Sequence, residues 1–168
     1  MKILDWAKPI VGAIVIALII NNCIIVNAYV PSGSMEDTIM TGDRIIANRL
    51  YYKVENPDRG DVVVFKYPDD ESKLYVKRII GLPGDTVLVK DGGVYINDKK
   101  LDEPYLDVLT EGDLGPFYVP EEKYFMMGDN RNSSFDSRYW DNKFVDKDKI
   151  LGKVFMEYFP KFKYVSND

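Results

Sequence analysis

Histidine is absent from this 168-residue chain, and cysteine occurs once, as Cys23. The first absence excludes a Ser-His-Asp or Cys-His hydrolase, a histidine-bearing zinc site and a histidine pH switch. The second excludes an intrachain disulfide and a thiolate metal cluster. Basic residues are outnumbered, 22 against 27 acidic, and the net charge of −5 argues against a nucleic-acid partner. Beyond residue 30 there is no stretch of helical periodicity 15 residues long, no internal repeat and no low-complexity tract. No cofactor or metal is expected, and acid–base chemistry is left to Asp, Glu, Lys and Tyr.

The one long apolar run lies at the start. No charged residue occurs between Lys8 and Glu36. As a helix rising ~1.5 Å per residue, residues 9–30 span roughly 33 Å, one hydrocarbon thickness. Trp6 and Tyr29 stand at the two ends, where aromatic residues favour a membrane interface. Val26-Asn27-Ala28 has the small-x-small form of a signal-peptide cleavage site, but the run is longer than a signal core, so a retained anchor is expected. Asn22 excludes a lipoprotein reading of Cys23, which is expected to pack within the span. Lys2 and Lys8 precede the run, and the next basic residue is Arg44. The positive-inside tendency then places residues 1–8 in the cytoplasm, 9–30 in the bilayer and 31–168 outside the cell membrane.

Residues 31–168 read as β. Short apolar or β-branched runs occur at 44–48, 61–65, 74–80, 86–90, 94–97, 123–127 and 151–159, punctuated by turn signals such as Asn56-Pro57-Asp58-Arg59-Gly60 and Asp91-Gly92-Gly93. Residues 101–120, with Pro104, Pro116 and Pro120, read as a turn-rich connection. The expected fold is one mainly antiparallel β domain behind a single apolar helix.

Three stretches carry candidate chemistry. In Pro31-Ser32-Gly33-Ser34-Met35 two hydroxyls flank a glycine and point at one small volume, although such a run is more often a plain turn. A serine nucleophile without histidine needs a lysine that is neutral near working pH, and therefore a desolvated one. Lys77 is the best placed, in an apolar strand where Tyr75 and Ile79 share its face; its bland alternative is an edge-strand lysine that deters aggregation. The third stretch is Gly128-Asp129-Asn130-Arg131-Asn132-Ser133-Ser134-Phe135-Asp136-Ser137-Arg138, either a polar surface loop or a loop that supports a site.

Taken together, in order and behind one apolar anchor, these stretches resemble bacterial type I signal peptidase. Gly42-Asp43, Arg59-Gly60-Asp61-Val62-Val63-Val64-Phe65 and Gly81-Leu82-Pro83-Gly84-Asp85 extend the likeness over nearly the whole of 31–168. The resemblance implies a membrane-bound serine endopeptidase of the single-anchor, Gram-positive-like form, with a signal-peptidase or repressor-peptidase-like β fold. It implies Ser34 as nucleophile and Lys77 as general base, Ser32 in the oxyanion hole, and Ser134 orienting the lysine. Asp129, Arg131, Asp136 and Arg138 would hold the site together, and Val30, Pro31, Tyr75 and Val76 would line substrate pockets. The implied substrates are secretory preproteins cut after small-x-small sites; the implied surroundings are a lipid bilayer. Departures from the family pattern are Glu36-Asp37, Ser133, Phe135 and the longer Asp141-Asn142-Lys143 link. Two other readings stand beside it: a self-cleaving repressor-type Ser/Lys peptidase, which lacks a reason for an anchor, and a catalytically silent anchored β module that binds exported proteins.

Overall fold

The computed structural model describes residues 3–165, with side chains from residue 6 onward. Met1 and Lys2 of the expected 1–8 segment, and the last three residues of the expected 31–168 domain, lie outside the described residues.

The chain opens with α1 (Ile3–Ile19), followed by a π-helical turn (Ile20–Ile24). Trp6–Ile24 together make a 19-residue helix of mean hydropathy 1.9, long and apolar enough to cross a bilayer. Helix over all of 9–30 is corrected: it stops at Ile24, and Ile25–Tyr29 form strand β1. Hydropathy is blind to this change, because the backbone groups of β1 find partners in β2 (Arg44–Asn48), from Ile25 opposite Asn48 to Tyr29 opposite Arg44. The amides of Asn21 and Asn22 compete with helical hydrogen bonding, and Ile24, Ile25 and Val26 are β-branched and suit a pleated strand. The small-x-small triplet Val26-Asn27-Ala28 therefore sits inside a paired strand. Cys23 lies in the π turn at the end of this helix, with its side chain exposed on the protein surface.

A one-turn helix, α2 (Tyr51–Val54), leads to β3 (Val62–Tyr67) and the long β4 (Asp70–Gly81). A smaller unit follows: β5 (Thr86–Lys90), β6 (Gly93–Ile96), β7 (Lys99–Lys100) and β8 (Leu114–Tyr118). The chain then returns through β9 (Lys123–Met127), β10 (Val145–Asp146), β11 (Ile150–Phe159) and β12 (Lys163–Tyr164). The main antiparallel sheet runs β1-β2-β11-β3-β4-β9-β10, with β12 also on β11, and the second runs β7-β6-β5-β8. Every strand expected from the sequence is present. The connection 101–120 is not all turn, since β8 pairs with β5 there, Val87 facing Phe117. Gly115 and Pro116 break the alternation that would have marked β8 in the sequence.

Alternation along β3 divides the interior. Val62 and Val64 enter one core with Met35, Ile39 and Ile45, whereas Val63 and Phe65 enter another around Trp140. Ile79 joins the Trp140 core, and Ile80 joins a third with Val87 and Phe125 under the smaller sheet. Strand β3 and the second half of β4, from Lys77 to Gly81, are thus a spine buried on both faces, the setting in which a lysine loses its water.

Candidate active site

The segment after β1 is closed by two backbone bonds, Val30 N–H to Asp43 C=O at 2.9 Å and Gly42 N–H to Val30 C=O at 2.8 Å. Within it Gly33–Met35 make one 3₁₀ turn, and the fully buried Met35 and Ile39 anchor it in the core. Ser34 is thereby fixed at the mouth of the fold, half-buried. A second clamp comes from far along the chain: Asn130 N–H donates to Ser34 C=O at 3.2 Å, and Asn130 Nδ2 to Gly33 C=O at 3.0 Å. Gly128 permits this approach, since a Cβ there would lie 2.3 Å from the Ser34 carbonyl oxygen and 2.2 Å from Ser134 Oγ.

Lys77 lies on β4 opposite Val63 and is 3% exposed. Its Nζ donates a hydrogen bond to Ser34 Oγ and stands 5.9 Å from the centre of the Tyr75 ring. Desolvation by burial pulls its pKa down to about 8, against the raising influence of Asp136 and Asp129 and with help from Arg138. A serine hydroxyl is in contact with a lysine whose neutral form is accessible near neutral pH, the pairing that the missing histidine would require of a serine hydrolase.

The four polar residues expected to support the site are buried in bidentate ion pairs. Arg78 grips Asp129 through Nε at 2.9 Å and Nη2 at 2.7 Å, and Thr38 Oγ1 donates to the same carboxylate at 2.5 Å. Arg138 grips Asp136 at 2.8 Å through both nitrogens, and Asp136 also accepts from Gly128 N–H at 3.0 Å. Arg131 pairs with Glu103 at 2.9 and 2.6 Å and donates through Nε to Gly128 C=O at 3.0 Å. The sequence reading missed Arg78 and Glu103, and also Tyr105, whose ring lies 3.8 Å from the Arg78 guanidinium. The signal available for Arg78 was a second cation inside an apolar strand. Nothing local marked Glu103, whose partner is 28 residues away.

A cleft of about 630 Å³ opens over Ser34 and Lys77. Val30, Pro31, Tyr75 and Val76 line it, as does the exposed Ser32, and so do Glu36 and Phe135, two of the departures noted above. One expected bond is open at rest. Ser134 is buried near the site, yet its Oγ has no hydrogen-bond partner and is not bonded to Lys77, whose hydrogen bond goes to Ser34.

The family profile described as signal peptidase, peptidase S26, matches residues 3–159. The chain is 45% identical to signal peptidase I S of Bacillus subtilis, over 95% of this chain and 90% of that protein. It is 42% identical to the probable signal peptidase I-2 of Synechocystis, over 94% of this chain and 73% of that protein. Among solved structures, the signal peptidase I of Enterococcus faecalis matches with a TM-score of 0.52 at 34% identity, covering 60% of this chain and 97% of that one. With the profile matched across most of its length and relatives of this identity along nearly all of it, the chain belongs to the signal peptidase family, peptidase S26.

Proposed function

We propose that this signal peptidase cuts exported preproteins with a Ser34/Lys77 dyad at the outer face of the cell membrane. The observation that carries the reading is the buried Lys77 ammonium bonded to Ser34 Oγ, with its pKa pulled down to about 8 by desolvation. Neutral Lys77 takes the Ser34 proton as Oγ attacks the scissile carbonyl carbon. The oxyanion that forms is held by the Ser34 backbone N–H and the Ser32 hydroxyl. The tetrahedral adduct collapses, the C–N bond breaks, and Lys77 returns its proton to the leaving amine. Water, deprotonated in turn by Lys77, then attacks the acyl-Ser34 ester and frees the enzyme. Ser134 has a buried hydroxyl with no partner at rest. It orients Lys77 during turnover, since catalytic hydrogen bonds often close only around substrate.

The apolar helix over Trp6–Ile24 spans the bilayer, with the amino end in the cytoplasm, where Lys2 and Lys8 favour it. Cleavage follows small-x-small sequences, whose extended backbone lies in the cleft beside Val30, Pro31, Tyr75 and Val76. A silent binding module has no use for a buried lysine against a serine hydroxyl, a costly placement in the absence of chemistry.

The test is cleavage of an Ala-x-Ala preprotein in liposomes by wild type, Ser34→Ala and Lys77→Ala. The wild type is expected to cleave, with each variant at least about 10³-fold slower, the scale of loss for a triad member. Equal rates in wild type and Lys77→Ala would assign the base to another residue.

A further inference from the structure

A second groove lies at the other end of β1, where the apolar helix meets the β domain. Its volume is about 630 Å³, and Asn22 and Cys23 of the π turn form part of its wall. Opposite them stand Arg49, Lys53 and Lys147. Arg49 is fastened to the helix exit itself: its N–H donates to Ile24 C=O at 2.8 Å and its Nε to Ile25 C=O at 3.1 Å. Lys147 Nζ donates to Asn56 Oδ1 at 2.7 Å. These three cations form no ion pair among the described residues, unlike the neighbouring Lys149 and Lys153. Two carboxylates, Glu122 and Asp148, also border the groove, so the cationic excess is one charge.

That excess is notable in a chain of net charge −5. A second feature shows what it faces. Arg49 and Leu50 precede the single turn of α2, and Lys53 and Val54 close it, so a basic and an apolar side chain stand next to each other at both ends of the turn. Leu50 is 39% and Val54 83% exposed. Apolar side chains beside unpaired cations, at the mouth of an apolar helix, suit the boundary between acyl chains and headgroups.

We propose that this groove binds the phosphate of an anionic phospholipid, with Arg49, Lys53 and Lys147 as its cationic wall. The proposal rests on the reading of Trp6–Ile24 as a membrane span. The lipid seats the domain on the bilayer through charge, on the side of β1 away from Ser34.

The experiment is native mass spectrometry of the full chain released from neutral micelles, titrated with phosphatidylglycerol or phosphatidylcholine. Wild type is expected to retain one phosphatidylglycerol about fivefold more tightly than phosphatidylcholine, the order expected for one net surface cation. Arg49→Gln/Lys53→Gln/Lys147→Gln should retain the two lipids equally. The double variant Lys53→Gln/Lys147→Gln, which keeps the Arg49 bonds to the helix exit, should lose most of the preference. Preprotein cleavage in neutral micelles should match wild type in both variants and so report intact folding. Equal retention of the two lipids by wild type, or an unchanged preference in the double variant, would overturn the proposal. So would inorganic phosphate displacing phosphatidylglycerol at matched concentration, which would make the groove a site for the free anion. Failure of the membrane reading is separate: the wild-type chain would then not float with liposomes of either composition.

Discussion

Replacing Lys77 by Met keeps the length of the side chain and removes only its charge and its bond to Ser34. The wild-type ammonium is held at a pKa of about 8 against an ordinary value of 10.5, and that gap corresponds to about 3 kcal/mol disfavouring the charged form in the fold. Below pH 8 Lys77 is charged in both folded and unfolded states, and the folded state carries the whole penalty. Between pH 8 and 10.5 the unfolded chain holds the proton that the folded one has shed, so wild-type stability rises with pH through this window. Losing the hydrogen bond to Ser34 costs the variant about 1 kcal/mol at any pH. Lys77→Met is therefore expected to be about 2 kcal/mol more stable than wild type at pH 6–7, on the order of 5 °C in melting temperature. Above pH 10.5 the advantage should vanish and reverse slightly. The assay is thermal unfolding of the detergent-solubilised chain across pH 6–11, followed by circular dichroism. A difference between the two proteins that stays constant across that range would refute the desolvated lysine and with it the reason for its basicity.

The same lysine sets the rate profile. With about a tenth of Lys77 neutral at pH 7 and about nine-tenths at pH 9, cleavage in wild type should rise roughly tenfold between them, and a flat initial-rate profile would contradict its role as base. Asp129→Asn leaves the buried Arg78 without its bidentate anion, so stability should fall by about 3–5 kcal/mol, visible as a melting temperature lower by on the order of 10 °C. Gly128→Ala forces a Cβ against the Ser34 carbonyl and the Ser134 hydroxyl; activity should fall steeply, with a stability loss of about 1–3 kcal/mol, read by parallel kinetics and melting. Ser134→Ala removes a hydroxyl that makes no bond at rest, so kcat should drop while the melting temperature stays within about 2 °C.

The strands were legible because their side chains obey a period of two against turn signals, as in Thr86–Lys90 and Gly93–Ile96 around Asp91-Gly92. Two features escaped for opposite reasons. Strand β8 was hidden because Gly115 and Pro116 interrupt its pattern, although pairing with β5 still forms it. The end of the helix was hidden because Ile25–Tyr29 are as apolar as what precedes them, and only the partner strand β2 decides between helix and strand. In the site, the chemistry-bearing residues stood out because histidine was missing and the alternatives were few. Their partners did not: Arg78 finds Asp129 51 residues away, and Arg131 finds Glu103 across 28. Such pairings belong to topology, and no local pattern announces them.

Asn130 holds the carbonyls of Gly33 and Ser34 from 96 residues beyond Ser34. Arg78, next to Lys77, is held by Asp129 in the same loop. The order in which the ribosome delivers the chain therefore differs from the order in which the enzyme exists. A growing chain that has reached Lys77 already carries both members of the proposed dyad. On the proposed dyad it is ready to cleave only when the loop that begins at Gly128 has been made and has folded back onto them, so a segment made well after Lys77 acts as its switch-on signal.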